Sequence, residues 1–187
     1  MDNFDGQDGQ LPYCNRPWLT GFNAMQIRPA IPEEAARLTE IAFNAKRHWG
    51  YPENWMQSWR DVLTVSPEFI ASHETFSAVV DSQPVGFYAL TQKDGRIDLL
   101  HLWVLPEWMG RGVGRSLFGH AIERVKALGF REFEIESDPN AERFYQQFGA
   151  RRVRTNIYEV DKQRRELPVL IYEINSTEPR PPAGPKL

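Results

Sequence analysis

A single cysteine, Cys14, occurs in the 187-residue chain, and long hydrophobic runs are missing. One cysteine excludes an intrachain disulfide and a cysteine metal cluster, and we expect no metal site. No apolar stretch approaches the roughly 20 residues that a membrane-spanning helix needs. The N-terminal residues Met-Asp-Asn-Phe-Asp also lack the basic and apolar parts of a secretory signal. We therefore expect a cytoplasmic protein that does not enter a membrane.

The chain also lacks an excess of positive charge, since its formal net charge is −3. Proteins that bind nucleic acid or anionic membranes by electrostatics carry an excess of Lys and Arg. We expect neither partner here. Hydrophobic residues make up 41% of the chain and charged residues 25%, which is ordinary for a soluble globular protein. The length suffices for one domain with a full core.

The composition changes near both ends of the chain. Residues 1–22 are polar and rich in Gly, Asp and Asn, which predicts a flexible leader. Residues 176–187 carry four prolines and predict a flexible tail. Residues 23–175 between them are expected to form one domain.

Hydrophobic periodicity predicts seven strands and five helices within that domain. The strands are expected at 25–28, 76–80, 85–91, 97–105, 133–136, 152–159 and 169–174. The helices are expected from residue 32 onward and at 53–64, 67–72, 113–128 and 140–148. This order predicts an α/β (α+β) fold, in which a mixed central sheet is flanked by helices on both faces.

Three glycines alternate at Gly110, Gly112 and Gly114, between a predicted strand and a predicted amphipathic helix. Glycine lets the backbone approach a ligand closely because it has no Cβ atom. The N–H groups of a helix N-terminus favour an anion, and the macrodipole adds to this. Arg111 and Arg115 supply positive charge. The pattern predicts a site for the phosphate groups of a cofactor, the alternative being glycines that serve packing alone.

Two other phosphate-binding patterns fail on spacing. A Walker A loop needs Lys after its last glycine, whereas Gly114 is followed by Arg115. A dinucleotide fingerprint needs G-x-G-x-x-G, and its third glycine would fall on Arg115 or Leu117.

The segment instead resembles the acetyl-CoA-binding motif of the GNAT superfamily of N-acyltransferases. That motif is a strand ending in Val-x-Pro, followed by Gln/Arg-x-x-Gly-x-Gly and a helix. Val104, Pro106, Gly112 and Gly114 match it position by position, while Met109 stands in place of Gln or Arg. The resemblance implies acetyl-CoA as cofactor, with coenzyme A as product. The residues implied to bind it here are Trp103, Val104, Leu105, Met109, Gly110, Arg111, Gly112, Val113, Gly114 and Arg115.

A second segment, residues 138–149, reads DPNAERFYQQFG and resembles the family's Asn-x-x-Ala-x-x-hydrophobic-Tyr-x-x-x-Gly. The matching positions are Ala141, Phe144, Tyr145 and Gly149. Asp138 occupies the usual Asn position and Asn140 lies two residues further on. Either could bond the pantetheine arm of the cofactor, and Phe144 and Tyr145 are expected to contact the cofactor as well.

Tyr145 is expected to be the general acid, because the resemblance places it where it can protonate the leaving thiolate. Backbone N–H groups near residues 103–105 are expected to hold the thioester carbonyl. Tyr145 also belongs to an apolar helical stripe with Ala141, Phe144 and Phe148, which indicates a core aromatic. The two interpretations are compatible, since a buried tyrosine can pack its ring and present its hydroxyl.

The general base is left open between three alternatives. Asp98 lies six residues before Val104, where some family members carry a catalytic Glu. Strict alternation would place Asp98 on one face of its strand with Leu100, Leu102 and Val104. His101, on the other face with Trp103, titrates near neutrality and is a second candidate. The third alternative is that no dedicated base exists. Glu134 and Glu136 on the next strand are further candidates.

The region expected to bind the acceptor is rich in aromatic side chains. They are His48, Trp49, Tyr51, Trp55 and Trp59. The spacing of Tyr51, Trp55 and Trp59 predicts one helical face. These rings could wall a pocket for the acceptor, or they could form core or a homodimer contact.

The sequence thus predicts an N-acetyltransferase acting on the amine of a small molecule, by direct attack. Two alternatives remain, namely a non-catalytic acetyl-CoA-binding module and an acetyltransferase of protein N-termini or lysines. The net charge mildly favours a cationic acceptor.

Overall fold

The computed structural model describes residues 25–174, which form one seven-stranded mixed sheet with helices on both faces, as predicted. The strands are β1 (Gln26–Pro29), β2 (Glu74–Val80), β3 (Gln83–Lys93), β4 (Arg96–Val104), β5 (Glu132–Glu136), β6 (Arg151–Val160) and β7 (Gln163–Glu173). The helices are α1 (Ala35–Arg47), α2 (Glu53–Ser58), α3 (Arg60–Leu63), α4 (Pro67–Ser72), α5 (Val113–Ala127) and α6 (Glu142–Gln146). The predicted leader (1–22) and tail (176–187) lie outside the described residues.

Two parts of the sheet, β1–β4 and β5–β7, are joined by a very short pairing between β4 and β5. The strand order is β1-β2-β3-β4-β5-β7-β6, and all neighbours are antiparallel except β4 and β5. These two parallel strands pair only at Asp98 with Glu134 and at Leu99 with Ile135. Beyond Leu99 the strands diverge, so the sheet opens into a wedge at the carboxyl ends of β4 and β5.

Two helical layers cover the sheet and bury its core. On one side, here called the α5 face, the fully buried Phe118 packs against Phe133, Tyr145, Phe148 and other rings, with centroids 5.1–5.9 Å apart. The opposite α1 face is covered by the predicted apolar stripe of α1, whose members are all buried. They are Ala35, Leu38, Ile41, Ala42 and Ala45.

A β-bulge at Leu100 changes which side chains of β4 share a face. Leu99 lies opposite Leu90 and His101 lies opposite Ala89, so Leu100 has no partner on β3. The extra residue shifts the alternation by one position. Asp98 therefore lies on the α1 face with His101 and Trp103, and the expectation that it shares a face with Leu102 and Val104 was wrong.

Three further elements differ from the sequence prediction. The helix expected at 53–64 is broken at Trp59, whose φ of −94° and ψ of 6° separate α2 from α3. The helix expected at 140–148 is shorter, since α6 covers only Glu142–Gln146. Strand β7 starts at Gln163, six residues before the predicted start, because Asp161 and Lys162 form a tight turn with positive φ that pairs β7 with β6. Among residues 25–174, no helix combines the length and apolar character needed to cross a membrane.

Candidate active site

The N-terminus of α5 presents a row of free backbone donors. Gly110 and Gly112 have left-handed φ angles of 74° and 88°, and a Cβ at either position would meet no atom within 4 Å. The first hydrogen bond into the helix runs from the amide of Ser116 to the carbonyl of Gly112. Within residues 25–174, five amides before it have no acceptor, namely those of Gly110, Gly112, Val113, Gly114 and Arg115. Such a row of N–H groups fits the pyrophosphate of acetyl-CoA.

A cavity of about 390 Å³ extends from this helix entry into the wedge between β4 and β5. Eleven of the residues predicted to serve the cofactor line it. They are Trp103, Val104, Met109, Gly110, Gly112, Gly114, Arg115, Asp138, Asn140, Phe144 and Tyr145. Three others do not line it: Leu105 and Val113 are buried in the core, and exposed Arg111 lies over the Trp108 ring. Ala45 and Trp49 close the cavity from the α1 face.

Tyr145 lines the cavity from α6 while its ring packs against Phe118, with centroids 5.3 Å apart. Burial raises the pKa of the Tyr145 hydroxyl, and the negative charge of Asp138 raises it further. The phenol therefore stays protonated at neutral pH. Among the described residues, no hydrogen-bond partner occupies this hydroxyl, so its proton is available to a group in the cavity.

Asp138, just beyond the end of β5, binds three side chains from two distant parts of the chain. Its carboxylate accepts hydrogen bonds from Lys46 Nζ at 2.5 Å, from the Tyr51 hydroxyl at 2.9 Å and from Arg165 at 3.2 Å. The Arg165 guanidinium lies 4.1 Å from the centroid of the Trp59 ring. We call these five residues the Asp138 cluster.

The Asp138 cluster is almost sealed from solvent. The side chains of Lys46 and Arg165 are each 8% exposed and that of Asp138 is 6% exposed. Burial alone would raise the pKa of Asp138, but the Lys46 ammonium and several hydrogen bonds outweigh it and lower the pKa. Tyr51 responds oppositely, since burial and the Asp138 charge raise its pKa to about 12. Asp138 is therefore an ionised acceptor whose oxygens are already occupied.

Asn140, the other residue predicted to bond the pantetheine arm, also contributes to this network. Its backbone amide and its side-chain amide both donate to Asp138 Oδ1, and the side chain donates to the Tyr51 hydroxyl at 3.1 Å. Asn140 is exposed and lines the cavity, so its remaining hydrogen-bonding groups face the cofactor path more openly than those of Asp138.

The structure separates both candidate bases from Tyr145. Asp98 lies at the other end of β4, where it lines a second cavity of about 380 Å³ together with Glu134 and Arg154. Burial and the neighbouring Glu134 raise the pKa of Asp98. Glu134 is bound by Arg154, and Glu136 accepts from the hydroxyl of Tyr158 at 2.7 Å. None of these carboxylates lines the cavity that contains Tyr145.

His101 is buried and already bonded. Its Nδ1 accepts a hydrogen bond from the indole Nε1 of Trp103 at 3.1 Å, and its ring packs against Phe69 and Phe87. Burial and the nearby His73 lower the pKa of His101 to about 4. The neutral His101 ring does not line the cavity, but it orients Trp103, which does.

The rings of Tyr51, Trp55 and Trp59 pack together, but they do not share one continuous helical face, because Tyr51 precedes α2 and the helix is broken at Trp59. The ring centroids of Tyr51, Trp55 and Trp59 lie 5.1–6.0 Å apart. Trp49 lines the cavity, and the His48 ring packs edge-on against it at 5.2 Å. Tyr51 and Trp59 also contact the two buried cations Lys46 and Arg165, so these rings are part of the Asp138 cluster.

Sequence reasoning missed Lys46 and Arg165. A signal existed for Lys46, because it follows Ala42 by four residues and so falls on the buried stripe of α1. A lysine on such a stripe indicates a buried partner of opposite charge. Arg165 gave no signal, since it stands in the charged run Gln-Arg-Arg-Glu of residues 163–166.

Comparison with known proteins shows the family of the chain. A family model described as an acetyltransferase (GNAT) domain matches residues 45–162. Among curated proteins, none matches the chain.

Solved structures of acetyltransferases share the fold. A GCN5-related N-acetyltransferase from Rhodopseudomonas palustris is 23% identical with a TM-score of 0.66, over 81% of this chain and 97% of that one. The PaiA N-acetyltransferase from Thermoplasma acidophilum, in complex with coenzyme A, is 20% identical with a TM-score of 0.69, over 81% and 99%. The YncA protein from Salmonella typhimurium, with its cofactor acetyl-CoA, is 18% identical with a TM-score of 0.59, over 86% and 99%.

Proposed function

The chain belongs to the GNAT family of acetyltransferases, which use acetyl-CoA, and on that premise we propose that it acetylates the primary amine of a small molecule with Tyr145 as general acid. The observation that carries the proposal is the protonated, unpartnered Tyr145 hydroxyl in the wall of the cavity. Bound acetyl-CoA supplies an activated acetyl thioester there. The residues of the chain must orient that thioester, admit a neutral amine and protonate the departing sulfur.

Binding and orientation are assigned to two parts of the cavity. The free amides between Gly110 and Arg115 fit the pyrophosphate, as their open geometry indicates. Beyond Leu99, the edge of β4 that faces β5 has no strand partner among the described residues. Its backbone groups are therefore available to the pantetheine arm and to the thioester carbonyl, for which hydrogen-bond donors are needed as negative charge develops.

Among the described residues, no side chain that lines the cavity is suited to act as a dedicated base. The titratable residues that line it are Arg115, Asp138 and Tyr145, and Asp138 is fully engaged by its own cluster. The amine is then expected to arrive in its neutral form. On this basis kcat/KM should rise with pH in proportion to the neutral fraction of the acceptor, up to the pKa of its own amine.

A small acceptor is favoured over a protein because α2 and the β6–β7 turn contact each other beside the Asp138 cluster. The Asn54 side chain of α2 donates to Asp161 of this turn at 2.5 Å. A protein N-terminus or lysine would need an open groove at this place.

The test is the substitution Tyr145→Phe, which removes the proton donor and keeps the ring. Loss of a general acid typically lowers the rate by ~10²–10⁴-fold. Tyr172→Phe is the matched control, because Tyr172 also packs edge-on against Phe118, at 5.5 Å, and does not line the cavity. We expect free coenzyme A release to fall only in Tyr145→Phe, with unchanged acetyl-CoA affinity in both variants.

Two outcomes would overturn the assignment. If Tyr145→Phe keeps kcat within about threefold of the wild type, well short of the usual effect, Tyr145 is a packing residue. If acetyl-CoA binds but no small amine in a broad panel is acetylated, the acceptor is of another class, and peptides with free N-termini or lysines are measured in the same assay.

A further inference from the structure

The Asp138 cluster contains two cationic side chains and one carboxylate. Lys46 and Asp138 form an ion pair that is neutral when both groups are charged, although burial lowers the pKa of Lys46. Arg165 adds a guanidinium that stays charged, and among the described residues its only carboxylate contact is that same Asp138. One carboxylate cannot neutralise two cations. With Lys46 protonated, a surplus of one positive charge is therefore buried beside the cavity, and an anion bound there would oppose the effect of burial on the pKa of Lys46.

The guanidinium of Arg165 also has unused hydrogen-bonding capacity. Arginine has five N–H donors, and within residues 25–174 Arg165 uses only its Nη2 atom, toward Asp138. Among the described residues, the fully buried side-chain atoms without a hydrogen-bond partner are Trp55 Nε1 and Thr75 Oγ1. The other nitrogens of Arg165 are not among them, so these nitrogens keep some access to solvent. The side chain is nonetheless 92% shielded from solvent, because it is 8% exposed. Stacking on Trp59 and Tyr51 fixes its plane.

Burying an uncompensated charge costs free energy unless an opposite charge accompanies it. Asp138 lines the cavity together with Tyr145, and Arg165, which does not line it, contacts Asp138 and the Trp59 ring. An anionic group that reaches past Asp138 to Arg165 would meet free N–H donors on a preoriented guanidinium. A carboxylate matches the geometry of the guanidinium group, because arginine can donate two parallel hydrogen bonds to the two oxygens of one carboxylate.

We infer that the acceptor is an amine that also carries a carboxylate, and that Arg165 binds this carboxylate while the amine reaches the thioester. The inference rests on the proposed function and specifies its substrate class. A single surplus charge matches a monoanion, which favours a carboxylate over the dianionic form of a phosphate. The chain as a whole is negative, at −3, so the expectation of a cationic acceptor drawn from net charge is replaced by the local charge of the site.

The first experiment compares acceptors that differ only in this charge. Glycine, β-alanine and 4-aminobutyrate are each measured beside the corresponding carboxamide, with release of free coenzyme A as the readout. The carboxamide lowers the basicity of a nearby amine, so a preference for the acid cannot come from a larger neutral fraction. A charged hydrogen bond predicts at least about a tenfold preference in kcat/KM for one of the acids.

The second experiment assigns the preference to Arg165. Arg165→Gln removes the charge, Arg165→Lys restores it without the fork, and Arg164→Gln is the control. Arg164 precedes Arg165 on β7, pairs with Glu166 at 2.8 Å, and has a side chain that is 65% exposed. We expect Arg165→Gln to abolish the preference through KM, Arg165→Lys to recover part of it, and Arg164→Gln to keep it.

A binding measurement separates recognition from turnover. The N-acetylated form of the preferred acid is titrated into protein saturated with coenzyme A, beside its amide, by calorimetry. We expect the wild type to bind the acid more tightly than the amide, and Arg165→Gln to bind the two equally.

The possible failures are distinguishable. If neutral amines are acetylated as well as the acids, or if Arg165→Gln keeps the preference, the proposed function stands and this inference is overturned. Preference for an aminophosphonate over the matched amino acid would overturn the choice of a carboxylate. If no amine of either class is acetylated although acetyl-CoA binds, the proposed function fails and the inference fails with it.

Discussion

Removing the charge of Asp138 should expose how strongly its cluster depends on one carboxylate. Asp138→Asn keeps the size of the side chain but leaves Lys46 and Arg165 without a counter-charge. Both cations are 8% exposed, so water can compensate little of the loss. Breaking a buried ion pair by removing one partner typically costs about 3–5 kcal/mol. For a domain of this size, that corresponds to a fall in Tm of about 6–20 °C.

The assay is equilibrium unfolding in urea, with Glu173→Gln as the control. Glu173 pairs with Arg151 at 2.7 Å, but their side chains are 55% and 61% exposed. Exposed pairs contribute roughly 0–1 kcal/mol, so this control should hardly shift the midpoint. A loss in Asp138→Asn no larger than that in Glu173→Gln would refute the assignment of Asp138 as the necessary counter-charge.

The pH dependence provides an independent check with a defined sign. The folded state lowers the pKa of Asp138, so this group contributes stability that is present above its unfolded pKa of about 3.9. That contribution disappears as the pH falls through the lowered folded value. The difference in stability between wild type and Asp138→Asn should therefore be constant near neutrality and shrink in acid. A difference that grows toward acid would contradict the argument.

Three further outcomes are expected. Gly112→Leu should weaken acetyl-CoA binding in calorimetry, because the new side chain fills the open space before the free amides. The control is Gly129→Leu at the other end of α5, where φ is a similar 86°, and this variant should leave acetyl-CoA binding unchanged. Trp55→Ala should raise the acceptor KM more than the acetyl-CoA KM if this ring walls the acceptor site, and equal kinetics with a stability loss of about 3–5 kcal/mol would show packing alone. Burial lowers the pKa of His101 to about 4, so its neutral ring contributes stability that declines as the pH falls from about 6.5 toward 4. His101→Gln should flatten that part of the stability profile and leave the rise of kcat/KM with pH unchanged.

The fold could be predicted, and so could the residues that line the candidate cofactor cavity, because their signals are local. The glycines at 110, 112 and 114 lie within one turn of the helix they open, and the stripe that contains Tyr145 lies within two turns. Apolar periodicity in α1 and α5 likewise places each helix against the sheet without knowledge of distant residues. Such patterns are written in consecutive positions, so a single sequence suffices to find them.

The Asp138 cluster, where we propose that the acceptor binds, could not be predicted, because it depends on contacts between distant residues. Lys46, Asp138 and Arg165 come from α1, the end of β5 and β7, and nothing in the sequence states that they converge. The bulge at Leu100 adds one residue without Gly or Pro to mark it, so strict alternation assigned Asp98 to the wrong face. The break at Trp59 has no local signal either, and it coincides with the packing of that ring against Tyr51 and Arg165.

The two-residue junction between β4 and β5 has a consequence for how ligand binding could be monitored. Amide protons on the facing edge of β4 beyond Leu99 lack a strand partner among the described residues, so they should exchange rapidly with deuterated water. Residues of β4 paired with β3 give an internal reference, because their amides are already bonded. Slowed exchange confined to the unpaired edge would report occupation of the wedge without any turnover, and would serve equally for catalytically silent variants.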